Sequence, residues 1–114
     1  MAKQKLSEVK GRGPRRKYLD VLPEYLKLIK EGKKKAEFRD YADLRLMNSY
    51  IPLRNAKTKK LELMIKVGMI YDLDRQFTEE EKEQLYEESY VTVEFREKYD
   101  CRYMYIIEEV HTIH

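Results

Sequence analysis

The stretch Leu61-Glu-Leu-Met-Ile-Lys-Val-Gly-Met-Ile-Tyr-Asp72 carries the strongest structural signal in the sequence. Apolar side chains occupy every second position from Leu61 to Tyr71 and alternate with Glu62, Lys66, Gly68 and Asp72. This period of two predicts a long, half-buried β-strand. Gly68 has no side chain to pack in the middle of that strand, which predicts a bulge or a bend there.

Shorter patterns on both sides predict further strands. These are the segments 18–22, 33–39, 49–53 and 103–110. Polar residues 54–60 predict a hairpin connection into the long strand. In the segment 33–39, Ala36 and Phe38 share one face of the strand, and Lys35, Glu37 and Arg39 share the other. The face opposite the core is therefore expected to be ionic.

Two segments carry clear helix signals. Pro23 is suited to the first turn of a helix that Gly32 would end. Thr78, followed three residues later by Glu81, is a capping-box pattern and predicts a helix over the Glu-rich residues 79–88.

Residues 90–99 fit two structures, because their apolar side chains recur at spacing two, as in a strand, and at spacing four, as in a helix. With this segment included, the chain has five or six strands and two or three short helices, and no internal repeat. Such a mixture predicts an α+β domain built around a small, strongly bent β-barrel.

The length of 114 residues, with 42% apolar and 39% charged side chains, predicts one folded domain over residues 18–114. Residues 1–17 show no apolar periodicity and predict a disordered basic arm. The chain contains no apolar run that could span a bilayer and no signal-peptide pattern, so we expect a cytoplasmic protein. The lone Cys101 fits a reducing compartment and is expected to serve packing.

Charge is distributed asymmetrically along the sequence. Residues 1–17 hold 7 basic and 1 acidic side chains (+6), residues 18–66 hold 12 and 7 (+5), and residues 67–114 hold 5 and 13 (−8). A basic front half attracts polyanions by releasing their counterions, and an acidic rear repels them. We therefore expect nucleic acid to dock on one side only.

Several kinds of site are excluded by residue type and position. The two histidines, His111 and His114, stand at the end of the sequence with a single distant cysteine, which excludes a zinc site. No serine has the flanking glycines of a hydrolase elbow. Gly11 and Gly13 fall in the arm rather than before a helix, which argues against a triphosphate-binding loop. No cofactor is predicted.

The remaining constellation is Leu28-Ile-Lys-Glu-Gly32-Lys-Lys34-Lys-Ala-Glu37-Phe-Arg39. Its spacing, Gly-x-Lys-x-x-Glu-x-Arg after an apolar helix end, resembles the signature of the ASCH domain family. The order of strands and helices extends the resemblance over residues 18–113. It implies a PUA-like β-barrel, an association with RNA, and a cleft lined by Lys34, Glu37 and Arg39. It also favours a helix at 90–99.

The resemblance implies an alternative, enzymatic function. Some members of the family resemble amidohydrolases acting on N4-acetylcytidine, with the motif lysine, a threonine three residues later and a distant glutamate in the active site. This chain keeps the lysine as Lys34 but has Glu37 at the threonine position. A carboxylate would act as a general base rather than as an activated hydroxyl. Lys34 and Glu37 are then the candidate catalytic residues, for an amidohydrolase or for a ribonuclease.

As a binding site, the motif predicts phosphate contacts for Lys34 and Arg39, and hydrogen bonds from a base edge to Glu37. The candidate RNA- or nucleotide-binding residues are Gly32, Lys34, Glu37, Arg39, and Tyr41 and Tyr50 for stacking. The candidate phosphate contacts of the arm are Arg12, Arg15, Arg16 and Lys17.

Two other interpretations stay open. Lys35, Glu37 and Arg39 also fit a solvated row of charges with no ligand. The acidic helix at 79–88 also fits a protein-interaction surface. The sequence specifies neither the ligand nor the oligomeric state.

Overall fold

The computed structural model describes residues 16–114, so most of the predicted arm, including Arg12 and Arg15, lies outside the described residues. Five strands form one sheet in the order β1-β3-β4-β5-β2. They are β1 (Leu19–Val21), β2 (Ala36–Arg39), β3 (Ser49–Asn55), β4 (Leu61–Asp72) and β5 (Tyr103–Thr112). β1 runs parallel to β3, and the other neighbours are antiparallel. The sheet curls into a half-barrel, which confirms the predicted α+β class.

The bulge predicted at Gly68 is present in β4. The pairing of β4 with β5 shifts register between Lys66 and Ile70. A bulge inserts one extra residue into a strand, so the positions that face the core shift by one residue after it. Ile70 is therefore buried, whereas Met69, which the simple alternation placed on the apolar face, is 53% exposed.

Helix α1 (Pro23–Lys30) begins with Pro23 in its first turn, as predicted. Gly32 follows its end with a φ of 77°. This left-handed conformation is available to glycine at little cost, which explains why the chain reverses here into β2. The apolar face of α1, formed by Tyr25, Leu26 and Ile29, packs on the core inside the sheet.

Three more α-helices lie between β4 and β5. They are α2 (Leu73–Gln76), α3 (Glu79–Glu88) and α4 (Val93–Lys98). α3 begins with both hydrogen bonds of the predicted capping box between Thr78 and Glu81. Because α2 has only four residues, it is too short to show a helical periodicity of apolar residues, and the sequence does not predict it.

The ambiguous segment 90–99 contains a helix. Tyr90 has a φ of 63°, and the Thr92 side chain accepts a hydrogen bond from the Phe95 amide to cap α4. A residue with left-handed backbone angles, followed by a helix cap, interrupts an extended chain. The alternating apolar residues around Val93 therefore do not form a strand.

Apolar residues form two clusters. One fills the concave side of the sheet under α1, and the other lies between β2, β5 and the α3–α4 region. Cys101 packs in the second cluster, in the segment just before β5 rather than in a strand. Burial raises the pKa of its thiol to about 11, so the thiol stays protonated at neutral pH. None of the helices in residues 16–114 has the length and apolar character needed to cross a membrane.

Candidate functional site

The half-barrel has an open seam, because its edge strands β1 and β2 do not pair with each other. A cleft of about 290 Å³ lies at this seam. β1 and the start of α1 line one wall, and β2 with the residues after it lines another. Phe95, Tyr99 and Asp100, from α4 and the segment after it, and Ala56, just after β3, also line the cleft.

Glu37 and Arg39 form an ion pair in the cleft wall. An Arg39 Nη2–H donates to Glu37 Oε2 over 2.7 Å, and the same nitrogen donates to the main-chain carbonyl of Asp20 in β1. The Arg39 side chain is only 19% exposed and the Glu37 side chain only 8%, so these two residues do not form a solvated row of charges. Burial alone would lower the pKa of Arg39, but the Glu37 carboxylate, together with Tyr41 and Tyr105, outweighs that effect and raises the pKa. The guanidinium therefore stays charged and joins the two edge strands.

Arg39 also carries an unsatisfied donor. Its Nε is buried and has no hydrogen-bond partner within residues 16–114. Buried donors are nearly always paired in folded proteins. Because Arg39 lines the cleft, a ligand acceptor that a small movement of the guanidinium brings within reach of this N–H would be stabilising.

Lys34 lies behind the cleft rather than on its surface. The side chain is 1% exposed, and its Nζ donates a 2.8 Å hydrogen bond to the Ser89 carbonyl. The amine also sits 4.6 Å from the ring centre of Tyr25 and 5.2 Å from that of Phe38, and both rings line the cleft. Burial lowers the pKa of Lys34 to about 8, although the Glu37 carboxylate acts in the opposite direction.

Tyr41 connects the cleft to a second, shallower groove. This groove, of about 450 Å³, includes Arg16, Lys17, Arg39 and Tyr41. The Arg16 guanidinium carbon lies 3.9 Å from the centre of the Tyr41 ring, a cation–π contact. The hydroxyl of buried Tyr105 donates to the Tyr41 carbonyl and so fixes this segment. Two cations of the predicted arm therefore lie beside the cleft.

Two residues predicted for the site lie elsewhere. Tyr50 is on β3, 52% exposed, and its hydroxyl donates to the Glu109 carboxylate at 3.0 Å. Gly32 shapes the turn between α1 and β2 and does not line the cleft. The structure thus brings Glu37, Arg39 and Tyr41 together, with Lys34 behind them.

Sequence reasoning missed most of the aromatic lining. Tyr25, Phe38, Phe95 and Tyr99 all contribute to the cleft, and they come from three separate segments. Phe38 stands inside the motif, but the strand pattern assigned it to the core, where its ring does pack on one side. The only signal for Phe95 and Tyr99 was their spacing of four residues.

The cleft lining is rich in hydrogen-bond acceptors. Four carboxylates line it, against the single guanidinium of Arg39: Asp20, Glu37, Asp40 and Asp100. Asp20 is paired with Arg54 through hydrogen bonds of 2.6 and 3.0 Å. Within residues 16–114, the His, Cys, Asp and Glu side chains form no group of three or more that could hold a metal ion.

Comparisons with known proteins agree with this architecture. No curated protein gives a match. The crystal structure of ASCH from Zymomonas mobilis is similar in fold, with a TM-score of 0.66 and 17% identity over 84% of this chain and 68% of that one. A mutant of the Zymomonas mobilis protein gives a TM-score of 0.66 and 18% identity over 87% and 74% of the two chains. The family model of the ASCH domain matches residues 19–113, and the chain therefore belongs to the ASCH domain family.

Proposed function

We propose that this ASCH domain binds RNA by holding one nucleotide in the seam cleft. The observation that carries the proposal is the buried Glu37–Arg39 pair in the wall of an aromatic cleft, next to a groove that contains Arg16 and Lys17. Single-stranded RNA is recognised mainly through unstacked bases that stack on aromatic side chains and form hydrogen bonds through their edges. The cleft offers both kinds of contact.

Stacking supports the proposal energetically. Tyr41 and Tyr99 both line the cleft, and each base–aromatic stack is worth about 1–3 kcal/mol. The volume of about 290 Å³ is near the lower end of the range for small-molecule pockets. A single base suits that space better than a folded RNA element does.

Phosphate contacts belong to the groove rather than to the motif. Arg39 Nη2 is shared between Glu37 and Asp20, and Lys34 is bonded to Ser89. We therefore assign the phosphates to Arg16 and Lys17, together with the preceding basic residues Arg12 and Arg15. Lys34 becomes a positioning residue, which holds the rings of Tyr25 and Phe38 in place.

The test is titration of fluorescently labelled single-stranded RNA by anisotropy, with the variants Arg39→Lys and Arg102→Lys. Arg102 is a matched control, because it forms a similar ion pair with Asp72, with side chains 17% and 7% exposed, and neither residue lines the cleft. We expect Arg39→Lys to weaken RNA binding about 10-fold through loss of the planar fork, and Arg102→Lys to leave it unchanged. Equal affinity of both variants and the wild type would refute the cleft as the binding site.

A second candidate function is hydrolysis of a modified nucleoside such as N4-acetylcytidine, or of RNA. It is favoured by the lowered pKa of Lys34, about 8, directly behind the cleft wall that Glu37 lines, since strongly perturbed groups are typical of catalytic sites. The test is chromatography of the nucleoside and gel analysis of RNA after incubation with wild type and with Lys34→Met. Turnover that Lys34→Met abolishes would establish the enzyme, and absence of turnover at high protein concentration would exclude it.

A further inference from the structure

We propose that the cleft selects guanine, with the N1–H and N2–H donors of the base bound to the Glu37 carboxylate. This inference rests on the proposed function and specifies which base the site accepts. It applies equally to a guanosine within RNA and to a free guanine nucleotide, which share the same base edge.

The first step of the argument is the free hydrogen-bonding capacity of Glu37. A carboxylate has about four acceptor positions on its two oxygens. Oε2 accepts from Arg39 at 2.7 Å, and within residues 16–114 Oε1 accepts only the long 3.3 Å bond from the Phe38 amide. Two acceptor positions remain, on a side chain that lines the cleft. A ligand that supplies two neighbouring N–H donors would fill both.

The second step is to compare the bases. On its Watson–Crick edge, guanine carries N1–H and the N2 amino group side by side. Adenine and cytosine each carry one amino group beside an acceptor nitrogen, and uracil carries one N–H between two carbonyls. Pairing an acceptor with a carboxylate leaves both groups unsatisfied and desolvated, which is unfavourable. Guanine is thus the base whose edge best matches a carboxylate.

The third step concerns the surroundings of Glu37. Asp40 and Asp100 also line the cleft, so a carbonyl-rich edge such as that of uracil would meet further acceptors. Arg39, whose buried Nε has no hydrogen-bond partner within residues 16–114, is the cation that lines the cleft beside these carboxylates. Guanine presents its O6 acceptor next to N1–H, and the Arg39 guanidinium, bound to the same Glu37 carboxylate, could donate to it.

The fourth step is the path of the backbone. The cleft shares Asp20, Arg39 and Tyr41 with the groove that contains Arg16 and Lys17. A base in the cleft can therefore have its phosphate in the groove beside Arg16 and Lys17, where the one lining carboxylate, Asp20, is paired with Arg54. Base and phosphate each meet side chains of suitable charge.

The experiment uses the full chain and labelled hexanucleotides of uridine with one variable position: guanosine, inosine, adenosine, cytidine or uridine. Free GMP, AMP, CMP and UMP then compete against the guanosine hexamer. We expect the guanosine hexamer to bind about 10-fold more tightly than the uridine hexamer. Inosine lacks the N2 amino group, so its hexamer should be about 10-fold weaker than the guanosine one. If the site recognises the base alone, GMP should be the strongest competitor among the four mononucleotides. Competition by RNA alone would mean that the site also requires neighbouring nucleotides.

Glu37→Gln keeps the size of the side chain but replaces an acceptor with an amide donor. We expect it to abolish the preference for guanosine over uridine, whereas Asp72→Asn, the matched change in another buried ion pair, should preserve it. The inosine comparison needs no variant, so it decides the question even if Glu37→Gln fails to fold.

Three results would overturn the inference: equal binding of the guanosine and uridine hexamers, equal binding of guanosine and inosine, or an undiminished preference in Glu37→Gln. If affinity for RNA falls in Arg39→Lys but no base is preferred, the cleft still binds RNA and only the guanine assignment is wrong. If affinity is unchanged in Arg39→Lys, the proposed function itself fails.

Discussion

Arg39 in β2 donates a hydrogen bond to the main-chain carbonyl of Asp20 in β1, across the seam where these two edge strands are not paired. This hydrogen bond links the two edge strands where no backbone ladder joins them. The same guanidinium binds Glu37, so the ion pair of the cleft and this link between the strands share one residue.

We expect Arg39→Ala to lower the free energy of unfolding by about 3 kcal/mol, because it leaves a buried carboxylate unpaired. Arg102→Ala should cost a similar amount, since its partner Asp72 is equally buried. Denaturant titration measures both. Only Arg39→Ala should also accelerate amide hydrogen exchange in β1, and unchanged exchange there would contradict the role of Arg39 at the seam.

Lys34 should make stability depend on pH. Its pKa is lowered from 10.5 to about 8 by burial, so between these values the folded state binds fewer protons than the unfolded state. The free energy of unfolding should therefore rise with pH from about 8, by roughly 1 kcal/mol up to pH 9. Denaturant titrations of wild type and Lys34→Met at these pH values measure the rise, which should be absent in the variant.

Cys101 opposes this trend at higher pH. Its pKa is raised from 9.0 to about 11, so between these values the folded state keeps a proton that the unfolded state loses, and this contribution lowers the free energy of unfolding as the pH rises. Cys101→Ala should therefore extend the rise beyond pH 9. If the free energy of unfolding of the wild type did not change between pH 8 and 9, the pKa of the Lys34 amine would not be lowered by burial.

Tyr41 and Tyr50 give a matched pair of substitutions. Tyr41→Ala should weaken RNA binding by about 10-fold or more, because the ring lines the cleft and a base stack is worth about 1–3 kcal/mol. Tyr50→Ala removes a ring on the outer face of the sheet and should leave RNA affinity unchanged. Anisotropy titrations at a temperature where both variants are folded provide the measurement, and the reverse order of effects would rule out stacking in the cleft.

Gly32 should contribute to stability and not to binding. Its φ of 77° disfavours any side chain, although a Cβ there would meet no atom within 4 Å. We expect Gly32→Ala to cost about 1 kcal/mol by thermal or chemical denaturation, and Gly32→Asn to cost less. RNA affinity should not change. A loss of RNA affinity without a loss of stability would show that Gly32 contributes to the binding site.

The four cations Arg12, Arg15, Arg16 and Lys17 should set the salt dependence of RNA binding. For single strands, each neutralised phosphate adds about 0.7 to the slope of log K against log salt. Replacing all four with glutamine should reduce the slope by up to about 3. The matched control replaces three exposed lysines of the β3–β4 turn, Lys57, Lys59 and Lys60. Equal slopes for the two variants would show that the basic residues at 12–17 do not contact phosphate.

Local signals in the sequence identified the elements whose structure depends on near neighbours. The alternation of Leu61–Asp72, Pro23 at a helix start and the Thr78–Glu81 capping box each involve residues within a few positions of one another. The motif from Gly32 to Arg39 also indicated the family and three residues now found at or behind the cleft. These features require no knowledge of the remainder of the chain.

The tertiary structure alone decided which groups meet. The buried Lys34 amine donates its hydrogen bond to the carbonyl of Ser89, which lies 55 residues later in the chain. Phe95 joins the cleft wall because α4 folds over β2 and α1, and Met69 became exposed because the bulge shifted the phase of β4. The sequence by itself thus determined the elements and the chemistry of the motif. The folding of distant segments determined the cleft, because burial and pairing depend on contacts that no local pattern encodes.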